Sequence, residues 1–308
     1  ILTDAGGSVD GFIAYRQFWS EHQAFQPASP RAPRFGGISV IIASMNNIPV
    51  VMTLGGHDPS GGAGLQADIE ALASQGCHAT PVITALTVQD TRNVLDFVPV
   101  PASHVIAQAR AVLEDIPVAA FKIGMLGSSG ITEAVHSILT DYPDTPLVLD
   151  PVLASGAGTQ LAEDDLPRAI CERLLPLTTV LTPNSLEARQ LAPTADNLDD
   201  CAIALLEQGA EFVLLTGTHE QTTHVVNTLY QGQSQLESFT WERLPHSYHG
   251  SGCTLASTIA AMLAHGLDPF QACFEAQEYT WNALSNGYCP GKGQHLPDRL
   301  FWTRQDSQ

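Results

Sequence analysis

Short apolar segments alternate with amphipathic segments from residue 50 onward, and this alternation constrains the fold more than any other feature of the chain. The apolar segments predict strands at Val50–Leu54, Ala79–Leu86, Ala119–Met125, Leu147–Val152, Thr179–Thr182, Phe212–Thr216 and His224–Tyr230. Helices are predicted near residues 65–76, 105–113, 130–140, 165–174, 184–191, 199–208, 253–265 and 268–284. The alternation predicts an α/β fold in which helices cover both faces of a mostly parallel sheet.

The segment His249–Thr254 reads His-Gly-Ser-Gly-Cys-Thr and runs directly into the apolar part of a predicted helix. Gly250, Ser251 and Gly252 allow a sharp turn whose N–H groups point into one space, and the helix dipole adds positive potential there. This pattern predicts an anion site with a thiol at its edge. A cysteine at a helix N-terminus tends to have a lowered pKa, so Cys253 is expected to be reactive. The alternative is a glycine-rich helix start with a small buried cysteine.

A second glycine-rich segment, residues 55–64, follows the first predicted strand and reads GGHDPSGGAG. Its glycines let the backbone approach a ligand closely. The segment is not a Walker A loop, because no Gly-Lys-Ser/Thr follows, and it lacks the G-x-G-x-x-G spacing. It predicts a pocket for a small molecule, with a merely tight turn as the alternative.

Polar side chains follow other predicted strands, at the sheet edge where open α/β folds bind ligands. Gln89 offers both a donor and an acceptor, which suits the edge of a heterocycle or equally a solvated turn. Asp150 places a carboxylate at a strand end, where it could hold Mg²⁺ and its waters. Asn184 and Glu187 stand at the start of a helix, where a simple N-cap with an acidic first turn explains them equally well.

The charge balance excludes polymeric anions as partners. The chain contains 13 Lys plus Arg against 32 Asp plus Glu, for a formal net charge of -19. Nucleic acids and anionic membranes require a basic footprint, so neither is expected to bind. A phosphorylated small molecule remains a suitable ligand, because backbone amides, a few cations and a metal ion are enough to hold it.

Cysteine spacing and hydropathy indicate a cytoplasmic protein. The six cysteines, at positions 77, 171, 201, 253, 273 and 289, form no C-x-x-C pair and no zinc spacing, so reduced thiols are expected. No apolar run reaches the roughly 18 residues of a membrane span. The N-terminal residues also lack the pattern of a secretory signal.

Residues 1–44 differ from the rest of the chain, with an aromatic and polar mixture followed by three prolines before Met45. We expect residues 1–44 to be a loosely ordered or non-native extension and residues 45–308 to form one α/β domain. The alternative is an N-terminal element that docks on the core.

Five motifs together carry a resemblance to a known family. They are GHDPSGGAGLQAD at 56–68, VITAL at 82–86, KIGML at 122–126, TPN at 182–184 and HGSGCT at 249–254. Over roughly Val50–Trp302, the chain resembles the hydroxymethylpyrimidine/phosphomethylpyrimidine kinases of thiamine biosynthesis, which belong to the ribokinase-like superfamily. The resemblance implies a three-layer α/β/α sandwich, so residues 45–308 would be a ribokinase-like kinase domain.

The resemblance also implies a reaction. Members of this family use Mg-ATP to phosphorylate 4-amino-5-hydroxymethyl-2-methylpyrimidine to the monophosphate, and then phosphorylate the monophosphate to the diphosphate. Gln89 would hydrogen-bond the aminopyrimidine, Gly56, Met125 and Val152 would surround its ring, and Asp68 would complete the substrate site.

The remaining site residues follow from the same resemblance. The turn formed by Gly250, Ser251, Gly252 and Cys253 would hold the transferring phosphoryl group, with the Cys253 thiolate as general base. Mg²⁺ would be bound at Asp150 and Glu187. The ATP-binding residues would be Thr182, Asn184, Thr216 and Gly217. A homodimer is expected.

The chain departs from the family pattern near the predicted ATP site. Many relatives have Lys-Gly-Gly-His there, whereas this chain has Thr216-Gly217-Thr218-His219. The ATP phosphates therefore lose a cation on that strand, and Lys292 in the C-terminal segment is our candidate for its replacement.

Three other functions remain to be compared with the pyrimidine kinase. Pyridoxal kinase, or a dual pyrimidine and pyridoxal kinase, is the nearest, because some relatives with the same cysteine phosphorylate pyridoxal. A non-catalytic pyrimidine-binding module is disfavoured, since Asp150, Glu187 and Cys253 are all present. A thiol hydrolase or redox role for Cys253 lacks a nearby base and a resolving cysteine.

Overall fold

The computed structural model describes residues 48–154, 161 and 163–304, so the predicted extension at residues 1–44 and Met45 lie outside the described residues. The strands are β1 Val50–His57, β2 His78–Gln89, β3 Val94–Pro99, β4 Ala120–Ile123, β5 Leu147–Leu149, β6 Val180–Leu181, β7 Phe212–Leu215, β8 His224–Gln231 and β9 Ser234–Glu242. They form one sheet in the order β3-β2-β1-β4-β5-β6-β7-β8-β9. The strands from β2 through β7 in this order are parallel, whereas β3, β8 and β9 run antiparallel to their neighbours.

Helices cover both faces of the sheet. They are α1 Gly64–Ser74, α2 Ala102–Leu113, α3 Ser129–Leu139, α4 Leu166–Arg173, α5 Ser185–Leu191, α6 Leu198–Glu207, α7 Ser251–Ala264 and α8 Pro269–Ser285. Along β1, Met52 and Leu54 face the core beneath α2–α6, while Val51 faces the core beneath α1, α7 and α8. The predicted α/β sandwich with a mostly parallel central sheet is therefore confirmed.

No helix in the described part of the chain is long and apolar enough to cross a membrane.

The antiparallel margins of the sheet were not predicted. Strand β2 continues past Leu86 to Gln89 because its last residues pair with β3, so Gln89 lies at a strand end rather than in a loop. Strand β3 escapes detection because apolar side chains such as Leu95 are exposed and give no inside–outside alternation. Strand β9 is largely polar and exposed, and pairing with β8 rather than burial defines it.

Helix α1 buries only part of the face that its sequence predicts. The spacing of Leu65, Ile69 and Leu72 predicts one apolar face, and Leu65 and Leu72 are buried, but Ile69 is 41% exposed. The neighbouring residue Asp68 is directed inward instead and is fully buried. A buried carboxylate on an otherwise apolar helix face requires a charged partner.

That partner is Lys122, the one charged residue of β4, and it is 1% exposed. Its Nζ lies 2.8 Å from Asp68 Oδ1, and Ser257 Oγ of α7 donates to the same oxygen at 2.7 Å. Gly124 leaves room for this ammonium group, since a Cβ there would lie 2.9 Å from Nζ. The ion pair thus joins the sheet to α1 and α7 in the same layer.

We expect Lys122→Met to lower the free energy of unfolding by about 3 kcal/mol, because it leaves the Asp68 carboxylate buried without its counter-ion. Guanidinium chloride unfolding followed by circular dichroism measures this loss. Arg173→Met is the matched control, since it breaks an exposed ion pair with Glu133 and should cost less than about 1 kcal/mol. Equal losses in the two variants would contradict a structural role for the buried pair.

Candidate active site

A cavity of about 860 Å³ lies at the carboxyl ends of the parallel strands. Most of the predicted site residues line it: Gly56, Asp68, Gln89, Met125, Asp150, Val152, Thr182, Asn184, Glu187, Thr216, Gly250, Ser251, Gly252 and Cys253. Gly217 is the exception among the predicted residues. Strand ends that are distant in sequence therefore meet in one space.

The turn before α7 has the geometry of an anion site. Gly250 is the N-cap of α7 and has a φ of 86°, in the left-handed region that favours glycine. A Cβ at Gly250 would also collide with the carbonyl oxygen of Gly62. Helix α7 begins at Ser251, two residues earlier than predicted, so the N–H groups of its first turn belong to the predicted motif.

A carboxylate faces this turn. A Cβ at Gly252 would lie 3.7 Å from both carboxylate oxygens of Asp150, in van der Waals contact, so glycine leaves the space between helix and carboxylate open. Asp150 Oδ2 is buried and has no hydrogen-bond partner among the described residues. A buried carboxylate oxygen without a partner suits a cation or a donor group of a ligand.

Cys253 is partly buried beside this carboxylate. The predicted lowering of its pKa is wrong for the ligand-free protein. Burial raises the pKa of the thiol to about 12. The positive charge of Lys122 opposes this rise, whereas the negative charges of Asp150 and Asp68 add to it. Desolvation and two acidic neighbours thus outweigh the favourable helix N-terminus.

Asp58 organises the glycine-rich loop after β1 and connects it to the turn before α7. Its carboxylate accepts hydrogen bonds from the backbone N–H groups of Ser60 at 2.8 Å and Ala63 at 2.7 Å. Asp58 Oδ2 also lies 2.9 Å from Nε2 of His249. Burial acts to raise the pKa of Asp58, but the hydrogen bonds from His249, Ser60 and Ala63 outweigh it and hold the pKa below its usual value. Sequence reasoning assigned no role to this connection.

Apolar side chains wall the cavity next to β1 and β2. A Cβ at Gly56 would lie 3.0 Å from Met125 Sδ, so the glycine lets the thioether pack against the strand. Met125 and Val152 belong to a small apolar cluster with Ala85, Val94 and Leu161. Gln89 lies at the edge of this wall, where its Nε2 donates to Thr87 Oγ1 at 2.7 Å. A flat heterocycle with one polar edge fits this combination of groups.

The cavity also extends over the start of α5. Asn184 forms a capping box with Glu187: its Oδ1 accepts from the N–H groups of Leu186 and Glu187, and Glu187 Oε2 accepts from the N–H of Asn184. Thr182 and Thr216 lie beside this cap at the ends of β6 and β7. Asn184 therefore acts as the N-cap of α5, as the structural alternative predicts, and its Oδ1 already accepts hydrogen bonds from backbone N–H groups.

Gly217 is not among the residues that line the cavity, although its neighbours Thr216 and Thr218 are, and its predicted role in ATP binding stays a prediction. A Cβ at this position would collide with the carbonyl of Val226 in β8, and the N–H of Gly217 donates to Asn227 Oδ1 at 3.1 Å. The glycine is required because β8 packs against it, a tertiary contact that the sequence does not indicate.

Arg243 lies near the end of β7 and lines the cavity, whereas Lys292 does not line it. Lys292 is exposed, and its neighbours Gly291 and Gly293 pack against Thr91 in the turn after β2, which is the Gln89 side of the cavity. Arg243 of the segment after β9 lines the cavity and donates to the carbonyl groups of residues 218, 220 and 222. It thereby shapes the loop that follows β7.

The two predicted metal ligands carry strongly perturbed carboxyl groups. Burial raises the pKa of Glu187 to about 8, and the charge of Asp150 adds to the shift. Burial also raises the pKa of Asp150 to about 6, although the charge of Lys122 opposes it. Lys122 itself has a raised pKa, since burial is outweighed by the charges of Asp68, Cys253 and Asp150. Among the described residues, the acidic groups at this place therefore outnumber the single positive charge of Lys122.

Known proteins share both the sequence and the fold. Residues 58–298 match the sequence model of the phosphomethylpyrimidine kinase family. The hydroxymethylpyrimidine/phosphomethylpyrimidine kinase of Haemophilus influenzae is 37% identical over 273 residues, which cover 84% of this chain and 100% of that protein.

Two solved structures extend the likeness. The phosphomethylpyrimidine kinase of Clostridium difficile 630 superposes with a TM-score of 0.67 at 32% identity, covering 77% of this chain and 100% of that one. The pyridoxal kinase from Staphylococcus aureus, in complex with AMP-PCP and pyridoxal, gives a TM-score of 0.76 at 28% identity, covering 84% and 96%. With a family match over most of the chain and a relative above 30% identity matched along its whole length, this chain belongs to the phosphomethylpyrimidine kinase family.

Proposed function

We propose that this protein transfers phosphoryl groups from ATP to 4-amino-5-hydroxymethyl-2-methylpyrimidine and then to its monophosphate, for thiamine biosynthesis. The observation that carries the proposal is the continuity of the cavity. One space joins the apolar wall at Gly56 and Met125, with Gln89 at its edge, to the anion turn at Gly250–Cys253. A kinase for an aromatic alcohol needs these two parts side by side.

The substrate would be oriented by groups that the fold already holds in place. Gln89 would hydrogen-bond the aminopyrimidine edge, and Met125 and Val152 would contact the ring faces. Asp68 would accept a hydrogen bond from the hydroxymethyl group. Its Oδ1 is held by Lys122 and Ser257, while its buried Oδ2 has no protein partner among the described residues.

The turn at Gly250–Cys253 would stabilise the transferring phosphoryl group. Negative charge spreads over three phosphoryl oxygens in the transition state, and preorganised N–H groups at a helix N-terminus match it. Cys253 is the proposed proton acceptor for the attacking hydroxyl. Because Asp150 contributes to the raised pKa of this thiol, a cation bound at Asp150 would favour its ionised form.

Mg²⁺ fits the residues that are present. No group of three His, Cys, Asp or Glu side chains suited to a metal occurs among the described residues. Mg²⁺ commonly needs only one or two carboxylates, because waters and phosphate oxygens complete its shell. Asp150, with its unpartnered Oδ2, and Glu187 supply two such groups, and the bound ion would neutralise charge on the phosphates. Asp150 would hold the ion and Glu187 its waters.

ATP is the proposed phosphoryl donor, with its phosphates between the anion turn and the start of α5. Thr182, Asn184 and Thr216 line this part of the cavity. A relative of the same fold, the pyridoxal kinase from Staphylococcus aureus, was solved with AMP-PCP, which supports the choice of an adenine nucleotide. Arg243 would take the place of the strand lysine as the cation of this region.

Pyridoxal is the second candidate substrate. The structural likeness to a pyridoxal kinase favours it, since pyridoxal is also a flat heterocycle with a hydroxymethyl group. The sequence likeness to pyrimidine kinases is greater, at 37% identity against 28%. We therefore place pyridoxal second, as a slower substrate of the same site.

A cytoplasmic homodimer is the proposed state of the protein. The six cysteines are free, which suits a reducing compartment. Strands β2 and β3 expose Leu86, Val88, Leu95 and Val98 to 50%, 57%, 73% and 60%, and an apolar strand surface of this kind suits contact with a second copy.

The proposed function is tested by incubating the purified protein with Mg-ATP and, in parallel, the pyrimidine alcohol, its monophosphate, pyridoxal and ribose. Product masses should show phosphorylation of both pyrimidine compounds, with a higher kcat/KM than for pyridoxal and no product from ribose. Phosphorylation of pyridoxal alone would replace the first candidate with the second. No product from any of the heterocycles would overturn the proposal.

Cys253→Ala should lower kcat for the pyrimidine alcohol by about 10²-fold or more, because it removes the proposed proton acceptor. The KM for the alcohol should change little, since Gln89, Met125 and Val152 are untouched. Cys289→Ala is the matched control, since this exposed thiol contacts the carbonyl groups of Gly291 and Gly293. A kcat for Cys253→Ala within twofold of the parent value would exclude Cys253 as the base.

Glu187→Gln should change how stability depends on pH. The pKa of Glu187 is raised in the folded protein, so the folded state binds more protons than the unfolded state above about pH 4.5, and stability falls as pH rises toward 8. At pH 8 without Mg²⁺, the variant should exceed the parent in free energy of unfolding by at least about 1 kcal/mol. Denaturant unfolding at pH 5 and pH 8 measures the difference.

Mg²⁺ added at pH 8 should stabilise the parent protein more than the variant, because only the parent has a second carboxylate to hold the ion and its waters. Parallel pH profiles for the two proteins would show that Glu187 titrates normally.

A further inference from the structure

Arg299 is a buried arginine that lies outside all five motifs and contacts both glycine-rich turns. It is 2% exposed. Its Nε donates to Thr254 Oγ1 at 2.9 Å, one N–H group donates to the carbonyl of Gly62 at 2.5 Å, and another pairs with Glu70 at 2.9 Å. Each guanidinium nitrogen thus has a partner, and the partners belong to three different segments.

Two of these partners belong to the surroundings of the anion turn. Thr254 follows Cys253, and its hydroxyl also donates to the carbonyl of Gly250 at 2.7 Å. A Cβ at Gly250 would lie 2.9 Å from the guanidinium and would collide with Gly62. The guanidinium therefore lies directly against the turn without lining the cavity, and it fixes the first loop against α7.

The main chain of Arg299 is equally fixed. Its carbonyl accepts from Tyr279 Oη of α8 at 2.7 Å, and the N–H of Asp298 donates to the carbonyl of Ala283 at 2.9 Å. The guanidinium is thus carried by a rigid support in the helical layer and not by a free C-terminal tail.

The placement of this charge works against the stability of α7 itself. A cation at a helix N-terminus opposes the helix dipole, and burying a guanidinium has a further desolvation cost. Glu70 offsets part of this cost, although its side chain is 47% exposed. The same charge becomes favourable when the turn holds an anion, because the amides and the guanidinium then act on the negative group together.

We propose that Arg299 is a positioning residue for phosphoryl transfer: it holds the Gly62 loop and the Gly250 turn in register and supplies a fixed positive charge behind the amides that bind the transferring group. This inference rests on the proposed kinase function. It explains why a buried arginine stands at a helix N-terminus where structure alone would favour an acidic or neutral residue.

The test compares steady-state kinetics of the full chain with those of Arg299→Met, Arg299→Lys and Glu70→Gln, using the pyrimidine alcohol at saturating Mg-ATP. Arg299→Met should lower kcat by roughly tenfold or more, because misplaced transition-state contacts act on the chemical step. The KM for the alcohol should change less than about threefold, since its proposed contacts lie elsewhere. Arg299→Lys should regain part of kcat by keeping the charge. Glu70→Gln should leave kcat unchanged.

A second pair of variants keeps the test decisive if Arg299→Met does not fold. Thr254→Val removes the hydroxyl that accepts from Arg299 Nε and keeps the shape of the side chain, whereas Thr254→Ser keeps the hydroxyl. The valine variant should lose kcat, and the serine variant should stay close to the parent protein. In a folded double variant, the combined loss should be smaller than the sum of the losses from Arg299→Met and Thr254→Val, because the two variants share the broken Arg299–Thr254 hydrogen bond.

The outcomes separate this inference from the proposed function. An inactive parent protein would remove the function on which the inference rests. An active parent protein with an unchanged kcat in folded Arg299→Met would overturn the inference alone. A rise in KM without a fall in kcat would also overturn it, because Arg299 would then serve only the substrate loop. If Arg299→Met cannot be purified, equal kcat values in Thr254→Val and Thr254→Ser would overturn it as well.

Discussion

The two glycine-rich turns touch at Gly62 and Gly250, and the geometry of the cavity depends on that contact. Neither position tolerates a larger residue: a Cβ at Gly62 would lie 2.5 Å from the His249 ring, and one at Gly250 would collide with the Gly62 carbonyl. The hydrogen bond between Asp58 and His249 links the same two turns, and Arg299 forms a second link between them. The loop proposed to wall the substrate and the turn proposed to bind the anion are consequently one structural unit.

Charge in the cavity is unbalanced in a way that suits a cation-dependent phosphoryl transfer. Lys122 is fully buried and paired with Asp68, and its charge offsets only part of the rise in the pKa of Asp150. Burial therefore raises the pKa values of both remaining carboxyl groups and of the Cys253 thiol. A bound divalent cation would relieve all three shifts at once, because it would supply the missing positive charge next to Asp150. The proposed substrate, metal and thiol chemistry would thus be coupled through one local electrostatic field.

The sequence predicted those parts of the fold and site that depend on local patterns. Buried parallel strands such as Leu147–Leu149 stand out as apolar runs, and the turn before α7 stands out by its glycines and the helix that follows. Strands β3 and β9 were missed because they are defined by pairing at exposed sheet margins, where side chains carry no alternation.

Three features of the site depend on tertiary contacts that spacing cannot reveal. The ion pair of Lys122 with Asp68 and the contacts of Arg299 join residues far apart in the chain, and Gly217 packs against β8 across the connection between β7 and β8. Lys122 nevertheless carried a usable signal, since a lysine inside a continuous apolar strand requires a buried counter-ion. The prediction of a lowered pKa for the Cys253 thiol was wrong for a related reason. The helix N-terminus is visible in the sequence, but the acidic neighbours Asp150 and Asp68 are not.

The central claim is that the anion turn and the apolar wall serve a single phosphoryl transfer to a pyrimidine. The most direct measurement is a crystal structure of the protein with the pyrimidine alcohol, ADP, Mg²⁺ and aluminium fluoride. We expect the fluoride group on the N–H groups of Gly250–Cys253, with the pyrimidine between Met125 and Val152 and its amino group at Gln89. Aluminium fluoride bound away from this turn, or a pyrimidine outside the cavity, would contradict the claim.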